Sequence, residues 1–315
     1  MFQEVRALQS PTGATLAWRY QPASAPERGI LLISHGLAEH SARYNRFAKV
    51  MGLQGFHVYA HDHRGHGATQ SADAPFGRYA LADGPQKVVD DITAICKLAR
   101  TEHPDLPVIL FGHSMGGLIA LNAAEEHPDF YDGLAVWNSN FNPGLAGRAA
   151  LLILAAERML KGSDVPSTIL PHLTFGAWGK SIDGHKTPFD WLSRDEKEVA
   201  AYIADPLCGF DASVSLWIDL FKMTFAGASG ERLRRLRTGL PIHLVGGGQD
   251  PATDRGRAIT WLAKRLERQG FLNVTTQIYP EMRHETLNEK GREGPVRDFA
   301  AWCVALTDAR RKAQA

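Results

Sequence analysis

Residues 108–117 read Val-Ile-Leu-Phe-Gly-His-Ser-Met-Gly-Gly, and no other stretch of the chain restricts the fold as tightly. The apolar run is too short for a helix and leads straight into Gly112-His113-Ser114-Met115-Gly116, after which a helical pattern runs from Leu118 to Glu126. Strand, tight turn and helix are the context that makes a G-x-S-x-G pentapeptide a nucleophile elbow instead of an ordinary loop. At the apex of such a turn a serine is held in a strained backbone conformation with its hydroxyl clear of the sheet. Glycine is needed on either side because a Cβ there would meet the adjoining strand or helix. The helix starting at the serine aims free N–H groups at the place where negative charge develops in acyl transfer. Ser114 is the expected nucleophile.

The chain around this element alternates strands with helices. Glu4–Leu8 and Leu16–Tyr20 read as a hairpin through Pro11-Thr12-Gly13, Gly29–Ser34 as a strand buried on both faces, and Gly55–Ala60 as the next strand. A helix opens at Gly84-Pro85 with Val88, Ile92, Ile95 and Ala99 on one side, and Tyr131–Trp137 is the strand after the elbow helix. Ile242–Gly246 and Val274–Tyr279 are further strands, separated by a helix over Asp254–Gln269 and followed by one from Pro295 to Ala309, with Arg310–Ala315 as a frayed polar tail. The alternation predicts an α/β fold: a mostly parallel sheet with helices on both faces, joined by right-handed crossovers.

Between Asn138 and Thr238 the rhythm breaks. The stretch holds Gly144, Gly147, the apolar run Ala149–Leu160, a Pro/Gly-punctuated segment to Pro188 and a helix near Ser213–Phe225. Residues 140–237 are expected to form an inserted helical cap on a core made of 1–139 and 238–315. Its helices carry Leu151, Leu152, Ile153 and Leu154, and then Trp217, Leu220, Phe221 and Thr224. Such residues either pack the cap on the core or line an acyl-chain pocket, with Leu152, Trp217 and Phe221 as the pocket candidates.

A serine hydroxyl needs a base, and a histidine base needs an acid to hold its tautomer. In an open parallel sheet such groups gather at the carboxyl ends of the strands, where Asp250 follows one strand and His284 another. The order Ser114, Asp250, His284 is that of α/β-hydrolases. His113 adjoins the serine but is tied to the turn, His35 reads as loop-shaping, and Asp254 and Glu285 read as solvated. The oxyanion donors are expected to be the backbone N–H groups of Met115 and Leu37. His61, His63 and His66 lie in a glycine-marked loop without a partnering ligand on a rigid element, so a turn held by Asp62 and Arg64 is preferred over a metal site.

A formal net charge of +1 excludes the basic excess of nucleic-acid binders. Cys96, Cys208 and Cys303 form no C-x-x-C pair and read as reduced thiols of a cytoplasmic protein. No apolar run approaches the ~20 residues of a membrane span, and Met1–Tyr20 lacks a secretory apolar core.

Four motifs in order, His35-Gly36-Leu37-Ala38-Glu39-His40-Ser41-Ala42-Arg43-Tyr44, Asp62-His63-Arg64-Gly65-His66-Gly67, Gly112-His113-Ser114-Met115-Gly116-Gly117 and Asp205-Pro206-Leu207, give a chain that resembles the monoglyceride lipase and lysophospholipase L2 group of α/β-hydrolases. The resemblance implies a serine esterase acting through an acyl-enzyme on monoacylglycerols, lysophospholipids or similar single-chain esters. It also implies no cofactor and a lid able to touch membranes peripherally. Two alternatives stay open on the same scaffold. One is a peptidase or thioesterase, with Asp183, Asp190 or Asp195 holding a free amine. The other is a ligand-binding protein without turnover.

Overall fold

Alternating side chains along single strands account for the architecture. In a computed structural model describing residues 2–314, Ile30 and Leu32 point into one core while Leu31 and Ile33 point into another, and Val108/Leu110 and Ile109/Phe111 divide in the same way. A strand buried on both faces must have helices on both faces.

The elements run β1 (Arg6–Gln9), β2 (Thr15–Gln21), β3 (Gly29–Ser34), α1 (Asn45–Leu53), β4 (Phe56–His61), α2 (Gly84–Glu102), β5 (Val108–His113), α3 (Met115–Glu126) and β6 (Gly133–Trp137). Then come α4 (Gly144–Lys161), α5 (Ala177–Lys180), α6 (Glu196–Ala204), α7 (Val214–Gly227) and α8 (Gly230–Leu233) with no intervening strand. The sheet resumes with β7 (Ile242–Gly247), α9 (Arg257–Arg268), β8 (Val274–Tyr279) and α10 (Glu293–Gln314). The strands form one eight-stranded sheet in the order β1-β2-β4-β3-β5-β6-β7-β8, parallel except for the antiparallel pairings of β1 with β2 and β2 with β4. Residues of α1 and α10 fill one core; those of α2, α3 and α9 fill the other.

The second core does not stop at the sheet helices. Ala150 and Leu154 of α4 and Leu216, Trp217, Phe221 and Met223 of α7 belong to the same buried cluster as Leu118 and Ile119 of α3. The segment between β6 and β7 is thus seated on the sheet's helical layer by continuous apolar packing.

At the other end, helix α10 extends through Gln314, so the expected frayed tail at Arg310–Gln314 is helical; Ala315 lies outside the described residues. Arg310 pairs with Asp132 and Arg311 donates to the Glu27 carbonyl. These two contacts anchor a polar end that carries no apolar stripe.

Candidate active site

Ser114 has φ 55° and ψ −121°, a left-handed conformation that a side chain adopts only under constraint. The constraint is visible on both sides. Its N–H donates to the Trp137 carbonyl at 2.8 Å, continuing the β5–β6 ladder, and its carbonyl accepts from Ser139 Oγ at 2.7 Å. A Cβ on Gly112 would collide with the Gly116 carbonyl, and one on Gly116 with the Ser34 carbonyl. The pentapeptide's glycines are therefore fixed by backbone approaching backbone.

The loops after β7 and β8 bring the next two residues to the same edge. His284 Nδ1 and Asp250 Oδ2 are 3.0 Å apart, both buried. The carboxylate is fully satisfied: Oδ2 also accepts from Asn138 Nδ2 at 3.1 Å and Thr253 Oγ1 at 2.8 Å, and Oδ1 from the Ala252 N–H at 2.9 Å. Burial pushes the Asp250 carboxyl up, but His284, Asn138 and Thr253 outweigh it and hold it below the usual range. An ionised Asp250 accepts the Nδ1 proton and leaves His284 Nε2 with its lone pair. Ser114 and His284 line one cavity.

Leu37 and Met115 line that cavity too. The Gly36 backbone passes so close to the elbow that a Cβ on it would lie 3.4 Å from Ser114 Cβ. Neither the Leu37 nor the Met115 N–H bonds another backbone group among the described residues, leaving both free as donors beside Ser114.

The cavity measures about 520 Å³, within the range of small-molecule sites. Ile153, Leu170, Trp178, Trp217 and Phe221 supply much of its apolar wall, while Asn140, Thr174 and Tyr202 add polar points. Trp217 and Phe221 are buried in this wall, but Leu152 is not part of it. Leu152 is 74% exposed, because the inward positions of α4 are Gly147, Ala150, Leu154 and Glu157, and a residue two places from Ala150 and Leu154 falls on the opposite side of a 3.6-residue helix. Ala149, Ala150 and Ile153 line the cavity in its place.

Glu285 also departs from expectation. It is buried, and its two carboxylate oxygens accept from Arg43 Nη1 and Nη2 at 2.6 and 2.7 Å. Asp254 stays mostly exposed, facing Arg257 at 3.3 Å. His61, His63 and His66 are buried and pack with His35, rings 4.2–5.3 Å apart for the pairs His35–His63, His61–His63 and His35–His66. Burial pulls His61 and His66 down to about 3. Asp62 accepts from the Ser41 N–H and hydroxyl and the Ala68 N–H, and Arg64 donates to the Tyr79 carbonyl, Thr12, Ser71 and Asp73. The acids considered for an amine site do other work. Asp195 caps α6 and pairs with Arg292, Asp190 binds Thr187 and the Lys186 N–H, and Asp183 is exposed.

Sequence reasoning missed three supports. Asn138 has φ 51° at the end of β6 and bridges Asp250 to Thr286, whose hydroxyl reaches its Oδ1 at 3.3 Å. Trp191 packs at a tilt against the His284 ring, centroids 4.8 Å apart, and nothing in the sequence marked it. Glu39 was legible as part of a motif, yet nothing local indicated that it reaches the elbow.

The family model described as serine aminopeptidase, S33, matches residues 25–291. The chain is 28% identical over 296 residues to the monoglyceride lipase of Mus musculus, covering 91% of this chain and 89% of that protein. It is 29% identical over 280 residues to the monoacylglycerol lipase of Mycolicibacterium smegmatis, covering 88% and 89%. Among solved structures, a thermostable carboxyl esterase from Bacillus coagulans in complex with glycerol superposes with a TM-score of 0.87 at 26% identity, covering 96% of this chain and 98% of that one. An eight-stranded, mostly parallel sheet, a strained serine after its central strand and a family match spanning most of the sequence lead to one assignment: the chain is an α/β-hydrolase and belongs to the Hydrolase_4, serine aminopeptidase S33, family.

Proposed function

We propose that this chain is a serine ester hydrolase acting on single-chain acyl esters such as monoacylglycerols and lysophospholipids. The observation that carries the reading is that His284, backed by the buried Asp250, and the strained Ser114 line one mainly apolar cavity of about 520 Å³. Asp250 keeps the proton on Nδ1, so His284 Nε2 takes the Ser114 proton as Oγ attacks the ester carbonyl. The Leu37 and Met115 N–H groups receive the oxyanion. The imidazolium returns its proton to the leaving alkoxide, and water then repeats the cycle on the acyl-enzyme. The acyl chain lies against Ile153, Trp217 and Phe221, and the polar side of the cavity near Glu39, Tyr202 and Glu285 takes the alcohol.

The outward side of α4 supports a peripheral lipid contact. Leu145, Leu152 and Met159 recur every seventh residue at 83%, 74% and 88% exposure, with Arg148 and Arg158 exposed on the same helix. An apolar stripe flanked by cations is the form of an interfacial helix. No helix among the described residues is long and apolar enough to cross a membrane.

Ser114→Ala is expected to lower kcat by ~10³–10⁶ with the fold intact, and a serine-directed phosphonate should label Ser114 alone. Asp250→Asn should cost ~10³–10⁴ through the wrong histidine tautomer. Both are measured on a panel of p-nitrophenyl esters beside amino-acid anilides. Cleavage of the anilides in preference to every ester would replace the esterase reading with a peptidase one.

A further inference from the structure

Behind the catalytic edge lies a buried charged cluster whose protonation can be read from its hydrogen bonds. His35 Nε2 accepts the His63 N–H at 2.9 Å, so its proton sits on Nδ1, which donates to the Gly36 carbonyl at 2.8 Å. The Gly36 N–H donates to Glu39 Oε1 at 2.6 Å. The carbonyl of Gly36 and the N–H of Leu37 share one planar trans peptide and point in opposite directions. Holding Gly36 at both its C=O and its N–H therefore orients the Leu37 donor.

Glu39 is engaged further. It accepts from Tyr44 Oη at 2.9 Å and from Arg43 Nη1 at 2.7 Å, and Oε1 lies 3.5 Å from His113 Nδ1. The other nitrogen of His113, Nε2, is 3.0 Å from the backbone carbonyl of His284. A carbonyl can only accept, so Nε2 carries a proton. A bare lone pair on Nδ1 facing an ionised carboxylate would be repelled, so Nδ1 carries one as well. The charges then close: Glu39 and Glu285 against Arg43 and an imidazolium, all buried or nearly so.

We propose that Glu39 and a protonated His113 are positioning residues acting as one ion pair: the carboxylate pins Gly36 at its N–H, on the near side of the peptide that presents the Leu37 oxyanion donor, and the imidazolium ties that alignment to the backbone of the catalytic base. The inference rests on the ester-hydrolase reading above. Burial works against the charged imidazole, but the Glu39 carboxylate 3.5 Å away, the charge of Glu285 and the His284 carbonyl outweigh it and raise the His113 pKa above the ordinary histidine value. Burial likewise opposes ionisation of Glu39, and His113 and Arg43 hold it well below the usual carboxylate range. The groups facing His113 are Glu39 and Arg43 from the segment after β3 and His284 and Glu285 from the loop after β8. With the folded pKa raised, the pair is intact at low and neutral pH and is lost as pH rises through that raised value. An enzyme needing only a free imidazole base would hold its rate on the alkaline side. This one should lose kcat there.

The test is kcat and KM for an octanoyl ester across pH 5.5–10 in the wild type, Glu39→Gln, His113→Gln and Tyr44→Phe, with ¹⁵N NMR of the His113 imidazole. Glu39→Gln keeps the shape and the acceptor for Gly36 but removes the charge. It should lower kcat ~10- to 100-fold, in the range of a misaligned oxyanion donor, with KM changed less than about threefold. Its alkaline limb should move down by about one pH unit or more. Tyr44→Phe removes a bond to the same carboxylate without touching its charge and should leave the limb in place. Both His113 nitrogens should be protonated at neutral pH in the wild type. The proposal is overturned by a His113 that is neutral at pH 7, or by a Glu39→Gln enzyme with wild-type kcat and an unmoved limb. If that variant does not fold, the wild-type titration and His113→Gln decide. A wild type that hydrolyses no ester and takes no phosphonate would instead remove the hydrolase reading, which a retained Glu39→Gln activity would not.

Discussion

Helices α4 and α7 have similar compositions and opposite fates. Both are largely apolar, α4 through Leu and Ala and α7 through Leu, Val, Trp and Phe, and both lie between β6 and β7. In α7, Val214, Leu216, Trp217, Phe221 and Met223 are buried, because α3 lies on one side and α4 on another. In α4 only Gly147, Ala150, Leu154 and Glu157 are buried, and the positions between them carry Leu145, Leu152 and Met159 into solvent. Apolar content alone thus does not assign burial. A helix with two apolar sides needs two partners, and the described chain provides α4 with one.

That contrast can be broken at several points. The largest effect belongs to α7: Trp217→Ala should destabilise the protein by ~3–5 kcal/mol, the usual range for an aromatic removed from a core, read as a shift in the urea midpoint. A loss of under ~0.5 kcal/mol, the level of a surface change, would put α7 on the same footing as the outer side of α4. Next comes acyl-chain preference. Four added methylenes at about 0.8 kcal/mol each allow octanoyl esters up to ~100-fold in kcat/KM over butyryl esters, less what chain ordering and substrate aggregation take back. Trp217→Asp should flatten this series while Leu152→Asp leaves it alone. Equal dependence on the two positions would mean that α4 turns its other side to the substrate. The smallest effect is expected from Leu152→Gln with Met159→Gln, which removes apolar surface without adding charge. Stability should change by no more than ~0.5 kcal/mol per site and hydrolysis of a soluble butyryl ester should hold, while cosedimentation with phosphatidylglycerol vesicles declines. Undiminished cosedimentation would take the lipid contact away from α4.

The same contrast marks where the sequence was legible. Strands β3 to β7 were readable because each is a short, mainly apolar run ended by glycine or a polar cluster, β8 because its β-branched and aromatic residues stop at Pro280, and the order of Ser114, Asp250 and His284 followed from which strands they end. The elbow was readable because its glycines recur at fixed spacing around the serine, although only the Gly112 collision, with the Gly116 carbonyl, is local and that of Gly116 is with Ser34 of β3. Leu152 was misjudged because a run of four apolar residues, Leu151 to Leu154, carries no phase: any of the four can face inward until the neighbour is known. Glu285 was misjudged for a related reason, since its partner Arg43 is remote in sequence and only the meeting of two loops makes a solvated acid into a buried one. Asn138 has no local signal, and Glu39 has only its place in a motif; the contacts with Asp250 and His113 exist only in three-dimensional proximity.

The shared core of α3 and α7 also bears on how the chain comes into being. The ribosome releases β1 to β6 and α3 first, with Leu118 and Ile119 already on a surface that α7 will cover only after the whole of α4 to α6 has followed. Strands β7 and β8, which bring Asp250 and His284, arrive later still. A nascent chain therefore presents an uncovered apolar layer and an open sheet edge at β6 for much of its synthesis, so the protein's most exposed moment for aggregation comes before the edge that holds its nucleophile is completed.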